Sequence, residues 1–351
     1  MKNKKKKIIS LKKFIENSLY KKNVGYYMSK NPFGHKGDFI TSPNISRFFS
    51  EMIAIWIISF WKNLNEPKEF NIVELGAGNG EMINIILKSF ENFPKFNNNI
   101  KIYIFEKSPY LKIIQKRKLK NTKVVWIKNL NQIRNKPSIF LANEFFDALP
   151  INQYFKINNE WYEKKVIFSK DKNYQYLNKK INIKKIEKKI GCDVATNQNI
   201  LEISDDAIDY LKKIARIIKR NNGGLLIIDY GYVEKKIKET LRGIHNHKIV
   251  NILSNYQKCD ITYSLSFNFL KMIAKKLSLN ISNITTQSNF LKSLGILKRA
   301  EIVSKSLKFS QKADIYYRID KLINKKYMGD VFKVMLITNN EINFNLGFEA
   351  D

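Results

Sequence analysis

The sequence predicts an α/β fold in which helices pack on the faces of a mostly parallel sheet. Two short apolar runs, Phe70–Leu75 and Ile100–Phe105, are each followed by a segment with apolar residues at helical spacing. The first run ends in a cluster of glycines, which suits a turn between a strand and a helix. Strands that alternate with helices indicate a parallel sheet, because each helix returns the chain to the same edge.

The composition is that of a globular protein, since 44% of the 351 residues are hydrophobic and 13% are aromatic. This length suits one elaborated α/β domain or two ordinary ones. With 63 basic and 31 acidic residues, the formal charge is +32, which ordinarily favours nucleic acid or an anionic membrane as a partner. The lysines are spread along the chain, however, and arginine, the usual reader of base edges, is scarce. We therefore expect no specific nucleic-acid partner.

Cys192 and Cys259 are the only cysteines, and neither has Cys or His partners at metal-ligand spacing. The sequence thus predicts no disulfide framework and no zinc site, fits a reducing compartment, and leads us to expect a cytoplasmic location. The longest apolar run, 52–61, is about half as long as a membrane span requires, so no span is expected. The lysine-rich start lacks the apolar segment of a secretory signal and is interpreted as a basic tail.

The first long helix is predicted to begin at Ser42-Pro43, with Ser42 as N-cap and Pro43 as the first helical residue. Its apolar residues form one stripe that should pack on the sheet: Ile45, Phe48, Phe49, Met52 and Trp56. The elements predicted after the first strand are, in chain order, strand Ile100–Phe105, helix Pro109–Lys118, strands 123–127 and 138–142, a helix capped by Ser204, strand 225–229 and an antiparallel strand 332–337.

The strand–helix rhythm is lost between 152 and 200, where tyrosine and lysine are frequent. Apolar and polar residues alternate over 161–168, which is typical of hairpin strands, so we interpret this region as an insertion. The predicted division is a basic N-terminal tail and helix (1–24), the first part of the core (25–150), a strand-rich insertion (151–203), the second part of the core with helical additions (204–337) and a C-terminal tail (338–351).

The glycine cluster is the first candidate binding site, because ligands of parallel α/β sheets lie beyond the carboxyl ends of the strands. Gly76, Gly78 and Gly80 allow the backbone to approach a ligand and to adopt positive φ. Their spacing departs from the dinucleotide fingerprint, since residue 81 is glutamate rather than glycine or alanine. A pyrophosphate carrier is therefore disfavoured.

Two acidic residues point to S-adenosylmethionine (SAM) instead. Glu74 precedes the glycine loop, where a carboxylate suits a cationic group such as the ammonium of SAM. Glu106 ends the second strand, where an acid accepts hydrogen bonds from ribose hydroxyls. The predicted cofactor-binding residues are Glu74, Gly76, Ala77, Gly78, Gly80, Glu106 and Asn143.

The segment Ala142-Asn-Glu-Phe-Phe-Asp-Ala-Leu-Pro150 leaves a predicted strand at the edge where a substrate should lie. The functional interpretation of Asn143, Glu144 and Asp147 is favoured over the alternative of a helix capped by Asn143. Asp229-Tyr-Gly-Tyr232 ends another strand and either borders the pocket or forms a turn. The three histidines are too scattered to suggest a metal site, and His247 is interpreted first as a loop residue.

Several motifs occur in an order that resembles the MidA-type methyltransferases, the family that includes the mitochondrial complex I assembly arginine methyltransferase. They are Gly25-Tyr-Tyr, Gly37-Asp-Phe-Ile-Thr, Glu74-Leu-Gly-x-Gly, Glu106-Lys-Ser-Pro, Asn143-Glu-Phe-Phe-Asp-Ala-Leu-Pro150, Asp229-Tyr-Gly-Tyr232 and Met328-Gly-x-x-Phe-Lys-Val334. The resemblance implies a Rossmann-like, seven-stranded class I SAM methyltransferase core, SAM as methyl donor, and an arginine of a respiratory complex I subunit as acceptor, with a role in complex I assembly. It leaves a homodimer open.

The chain departs from the family at two places. Ala77 and Asn79 stand where many relatives have proline and arginine, which should leave SAM binding intact. The stretch 260–267 lacks a histidine and an aspartate that the family has there, which leaves the details of the acceptor site open.

An arginine acceptor is protonated in water, with a pKa above about 12, so carboxylates must orient it and take up its proton. The predicted catalytic residues are Glu144 and Asp147, together with Asp38, and no metal is expected. One alternative is a nucleic-acid methyltransferase, because 143–146 lies where base-amine methyltransferases carry an Asn/Asp-Pro-Pro-aromatic motif; the missing prolines count against it. The other is an assembly factor that binds SAM without transferring a methyl group.

Overall fold

The structure, a computed structural model, describes residues 7–29, 32, 41–168 and 173–349. Its strands are β1 Lys7–Ser10, β2 Phe70–Leu75, β3 Ile100–Phe105, β4 Val124–Ile127, β5 Ser138–Asn143, β6 Asn152–Ile157, β7 Glu160–Phe168, β8 Gln175–Lys180, β9 Ile200–Ile203, β10 Gly223–Tyr232, β11 Arg242–His245, β12 Lys248–Val250, β13 Asp260–Thr262, β14 Leu265–Ser266, β15 Asn280–Ile281, β16 Thr285–Thr286 and β17 Phe332–Thr338. Its helices are α1 Leu11–Tyr20, α2 Tyr26–Ser29, α3 Ser42–Ile45, α4 Arg47–Asn63, α5 Glu81–Phe90, α6 Pro94–Asn97, α7 Pro109–Lys118, α8 Ile183–Ile190, α9 Asp205–Asn221, α10 Phe267–Lys276, α11 Gln287–Ser293, α12 Ile296–Ser304, α13 Phe309–Ile323 and α14 Met328–Val331.

The central sheet has the strand order β15-β17-β10-β5-β2-β3-β4, with the short strands β14 beside β10 and β16 beside β17. Strands β10, β5, β2, β3 and β4 run parallel, whereas β17 is antiparallel to β10, with Leu336 opposite Leu226. The predicted mostly parallel, Rossmann-like core of seven strands is therefore confirmed, and two short strands extend it within the described residues.

Helices cover both faces of this sheet because its strands carry apolar side chains on both sides. In β2, Val73 and Leu75 pack into one core with α9 and α10, whereas Phe70 and Ile72 pack into a second core with α4 and α5. Successive side chains of a strand point to opposite faces, so a strand covered on both faces is largely apolar. β2 is accordingly buried along its whole length.

The first long helix begins later than the sequence predicts. Ser42–Ile45 forms the separate one-turn helix α3, and the hydroxyl of Ser46, which has an extended φ of −149°, caps α4 by accepting a hydrogen bond from Phe48 N. The Ser42 hydroxyl instead donates to the Gln287 side-chain oxygen, 3.1 Å away. Both serines are residue types that favour an N-cap, but Ser42 lies within α3 and Ser46 has the extended backbone of a cap. No helix among the described residues is long and apolar enough to cross a bilayer.

The N-terminal residues, expected to be a tail and a helix, also supply a strand. β1 pairs antiparallel with β7, with Ile8 opposite Ile167, and joins a second sheet of order β1-β7-β6-β9 in which β8 pairs with β7. The hairpin strand predicted at 161–168 is present as β7. A four-residue strand whose partner lies far away in the sequence carries too little alternation to be detected locally.

The C-terminal residues after β17, expected to be a tail, are packed where the structure describes them. Ile342 and Phe348 are buried in the core formed by α4 and α5. The indole of Trp56 donates a hydrogen bond to the carbonyl oxygen of Leu346 at 3.0 Å. This segment therefore covers the sheet rather than projecting from it.

Candidate active site

A cavity of about 390 Å³ lies at the carboxyl edge of the central sheet. The strand ends contribute lining residues in turn: Gly76 after β2, Glu106 after β3, Glu144 after β5 and Tyr230 near the end of β10. Another wall comes from the small sheet β12-β11-β13, whose strand β13 adds Asp260. The cavity thus occupies the place where open parallel α/β sheets bind their ligands.

The glycine loop adopts backbone conformations that favour glycine. Gly76, Gly78 and Gly80 have φ values of +67°, +53° and +76°. A Cβ on Gly76 would lie 3.0 Å from the ring of Phe145, and one on Gly80, the N-cap of α5, would lie 3.4 Å from Gln115. Gly76 and Gly78 line the cavity, so their missing side chains keep the cofactor side open.

Glu106 is held in place from two sides. One carboxylate oxygen accepts a hydrogen bond from Ser108 N at 2.8 Å, and the other accepts one from the Gln115 side-chain amide at 3.0 Å. Burial raises the pKa of Glu106, and these two hydrogen bonds oppose the rise. The carboxylate keeps lone pairs free of these donors and can accept the ribose hydroxyls predicted from the sequence.

Glu74 lines a smaller cavity of about 40 Å³ on the other side of the glycine loop, together with Ala77 and Asn143. Burial, reinforced by the charge of Glu106, raises the pKa of Glu74 to about 8. Its Oε2 atom is buried and has no hydrogen-bond partner among the described residues. A buried carboxylate oxygen without a donor suits an incoming ammonium group, and the residues around the loop therefore fit SAM.

Glu144 follows β5 in a strained conformation, with φ of +51°. A left-handed backbone conformation costs a residue with a side chain about 1–2 kcal/mol, so the surrounding contacts must hold Glu144 in it. Asn143 donates to a Glu144 carboxylate oxygen at 3.3 Å. Burial, together with the nearby charge of Asp147, raises the pKa of Glu144 to about 8.

Asp147 faces the same cavity three residues later. Its Oδ2 accepts a hydrogen bond from the Thr262 hydroxyl at 2.9 Å, whereas its Oδ1 is buried without a partner in the described part of the chain. Burial raises the pKa of Asp147 to about 6. The loop that follows β5 is held by fully buried Asp229, which accepts hydrogen bonds from the backbone N–H groups of Phe146 and Asp147.

The structure brings most of the predicted catalytic residues together. Glu144 and Asp147 share the cavity, while Asp38 lies outside the described residues. No helix follows Asn143, so the alternative of a capped helix start is wrong. Tyr230 borders the cavity. His247, for which the sequence favours an ordinary loop position, also borders it.

Sequence reasoning missed several residues of the site. Asp260, Thr262 and Arg242 line the cavity from the small sheet, and Tyr27 lines it from α2. Tyr27 belongs to the Gly25-Tyr-Tyr motif, so the family resemblance carried a signal for it. The other three lie on β11 and β13, whose positions depend on pairing between separate segments. Within the described ranges, no group of three or more His, Cys, Asp or Glu side chains could hold a metal ion.

Comparisons with known proteins agree with this geometry. A family profile described as S-adenosyl-L-methionine-dependent methyltransferase matches residues 52–285. The chain is similar to the protein arginine methyltransferase NDUFAF7, mitochondrial, of Xenopus laevis, with 30% identity covering 93% of this chain and 80% of that protein. The human protein of that name is 29% identical over 92% of this chain and 78% of its own length.

The fold is also found in a solved structure. A Burkholderia thailandensis protein bound to S-adenosylhomocysteine superposes with a TM-score of 0.82 at 19% identity, covering 97% of this chain and 90% of that one. At this identity the likeness supports the fold alone. The predicted cytoplasmic location is contradicted, because the similar curated proteins are named as mitochondrial.

Proposed function

The chain belongs to the family of S-adenosyl-L-methionine-dependent methyltransferases, and from this premise we propose that it methylates an arginine of a protein. We further propose that this protein is a subunit of respiratory complex I, following the family resemblance and the name of the relatives. The predicted class of enzyme and its predicted methyl donor, SAM, are confirmed by the family match. The proposal does not depend on the homodimer that the resemblance leaves open.

The observation that supports an arginine acceptor is the excess of acidic side chains in the cavity lining. The chain has 63 basic and 31 acidic residues, yet the cavity lining contains more acidic side chains than basic ones. The acidic ones are Glu106, Glu144, Asp147 and Asp260, and the lysine and arginine side chains are Lys107 and Arg242. An acidic pocket in a strongly basic protein suits a cationic acceptor, and a guanidinium remains cationic at every physiological pH.

Glu144 and Asp147 are assigned to the acceptor, and Asp38 is retained on sequence grounds. The Asp147 carboxylate can hold the guanidinium by charge and hydrogen bonding, because its Oδ1 is buried without a partner among the described residues. Burial raises the pKa of Glu144 to about 8, and a bound guanidinium would favour its ionised form.

Bound SAM would supply a sulfonium methyl group; its transfer to a guanidine nitrogen would leave the carbon–sulfur electron pair on sulfur, as in S-adenosylhomocysteine. The nitrogen loses one proton, which a carboxylate of Glu144 or Asp147 accepts. The glycine loop, Glu74 and Glu106 hold the methyl donor. The carboxylates of Glu144 and Asp147 align the acceptor with it.

Methyl-labelled SAM tests the proposal directly. Purified protein is incubated with isolated complex I subunits, and mass spectrometry locates the label; subunits from cells with and without the protein are compared in the same way. We expect the label on arginine. SAM binding without any methylated product would favour the non-catalytic alternative, and label on bases after incubation with DNA or RNA in a parallel assay would favour the nucleic-acid methyltransferase.

A further inference from the structure

We propose that Asp260 is a second acceptor-binding carboxylate, which grips the guanidinium together with Asp147, and that Thr262 positions Asp147 for this task. The inference rests on the proposed arginine acceptor. It adds to the site a short strand, β13, that lies outside the central sheet.

β13 delivers both side chains to the cavity by simple alternation. It pairs antiparallel with β11, which places Asp260 opposite Ile244 and Thr262 opposite Arg242. Residues two apart on a strand point to the same face, and Asp260 and Thr262 both line the cavity. Ile261, between them, points the other way and is buried in the core.

Asp260 is held by a hydrogen bond from Tyr27. The Tyr27 hydroxyl donates a hydrogen bond to Asp260 Oδ1 at 2.7 Å, and the carbonyl oxygen of Tyr27 accepts one from the Ser108 hydroxyl at 2.7 Å. Since Ser108 also donates its backbone N–H to Glu106, Asp260 is coupled through Tyr27 to the cofactor side of the cavity. These hydrogen bonds connect Asp260, on the acceptor side, to Glu106, on the side of the methyl donor.

Thr262 orients Asp147 by engaging only one of its oxygens. The hydroxyl donates to Oδ2, and Oδ1 is left buried without a donor among the described residues. A buried carboxylate oxygen without a partner costs roughly 1–3 kcal/mol, so this oxygen is arranged for a ligand that brings its own N–H groups.

The two carboxylates lie in the same region of the cavity, because Asp260 is two residues from Thr262 on β13 and the Thr262 hydroxyl bonds to Asp147 at 2.9 Å. The pKa of the buried Tyr27 hydroxyl is raised by burial first, and then by the charges of Asp260 and of Asp147, among other groups. Both carboxylates therefore lie within electrostatic reach of one hydroxyl. A planar guanidinium presents N–H groups along several edges, so two carboxylates can bind it at once. The compact ammonium group of a lysine fits such a pair of carboxylates less well.

Binding of a small arginine probe tests the inference without relying on turnover. The protein, saturated with S-adenosylhomocysteine, is titrated with Nα-acetyl-L-arginine methylamide by calorimetry, with the uncharged citrulline analogue as the control ligand. The variants are Asp260→Asn, Thr262→Val and Thr262→Ser, and Glu187→Gln serves as a control because Glu187 is a buried carboxylate outside the cavity. Thermal unfolding and S-adenosylhomocysteine affinity report the folding of each variant.

We expect Asp260→Asn to weaken arginine binding about tenfold or more, as for the loss of a hydrogen bond to a charged group. Thr262→Val should weaken it severalfold, and Thr262→Ser should restore it, because a purely structural role would not require the hydroxyl. Unchanged arginine affinity in Asp260→Asn, while the wild-type protein prefers arginine to citrulline, would overturn the inference and leave the proposed function standing. A wild-type protein without that preference would overturn both.

Discussion

The side-chain amide of Gln115 donates a hydrogen bond to the Glu106 carboxylate at 3.0 Å and another to the carbonyl oxygen of Gly78 at 2.9 Å. Its own oxygen accepts a hydrogen bond from the Trp126 indole at 2.9 Å. Gln115 is fully buried, so these contacts are not shared with water. Gln115 thus connects Glu106, the acid predicted to bind the ribose, to the glycine loop predicted to border the rest of the cofactor.

We expect Gln115→Leu to lower SAM affinity about tenfold, because Glu106 loses a hydrogen bond that orients its carboxylate. The matched control is Gln153→Leu, since Gln153 donates to the buried carboxylate of Glu202 at 2.7 Å away from the cofactor loop. Both variants should lose stability, but only the first should lose SAM affinity by calorimetry. Equal SAM affinity in the two variants would contradict a positioning role for Gln115.

The sequence predicts the parts of this fold whose causes lie within a few residues. Phe70–Leu75, Ile100–Phe105 and Pro109–Lys118 are found at the predicted bounds, because apolar runs, glycine turns and proline at a helix start are local signals. The carboxylates Glu144 and Asp147 could be placed for the same reason, since they directly follow a recognisable strand.

Features that depend on distant pairing could not be predicted in this way. β1 is a strand only where it lies against β7, and Asp260 reaches the cavity only because β13 pairs with β11. The break at Ser46 that separates α3 from α4 is likewise not marked by a local signal that distinguishes Ser46 from Ser42. Strand formation reflects such context more than the intrinsic preference of the residues.

Gly78→Val should abolish measurable SAM binding, because a branched side chain would fill the cofactor side of the cavity and φ of +53° disfavours it. Gly191→Val is the matched control: its φ is +85°, and a Cβ there meets nothing within 4 Å. Both variants carry backbone strain, so a loss of SAM binding in calorimetry confined to Gly78→Val separates blocked access from instability. Unchanged affinity in Gly78→Val would refute this placement of the cofactor.

Glu144→Gln should reduce methylation of the acceptor by about a hundredfold or more, the range for loss of a group that takes up a proton. SAM affinity should change little, because the variant keeps the shape of the side chain and removes only its charge. Transfer of label from SAM to the acceptor measures the first effect, and calorimetry measures the second. Undiminished transfer would remove Glu144 from the mechanism.

The buried Glu74 carboxyl should make the protein without cofactor less stable as the pH rises. Its pKa in the folded protein is about 8, against an ordinary value of 4.5, so between these values the folded state holds a proton that the unfolded state has released. The free energy of unfolding then falls by up to about 1.4 kcal/mol per pH unit in that window on account of this group. Glu74→Gln cannot ionise and should remove this part of the slope.

Urea unfolding of the wild-type and Glu74→Gln proteins at pH 5.5, 6.5 and 7.5 measures the difference. Other buried acids, such as Glu144 with a pKa of about 8, contribute to both slopes and cancel in the comparison. The variant should therefore gain stability relative to wild type with each step up in pH. Parallel curves would show that Glu74 ionises in its ordinary range and that burial does not raise its pKa.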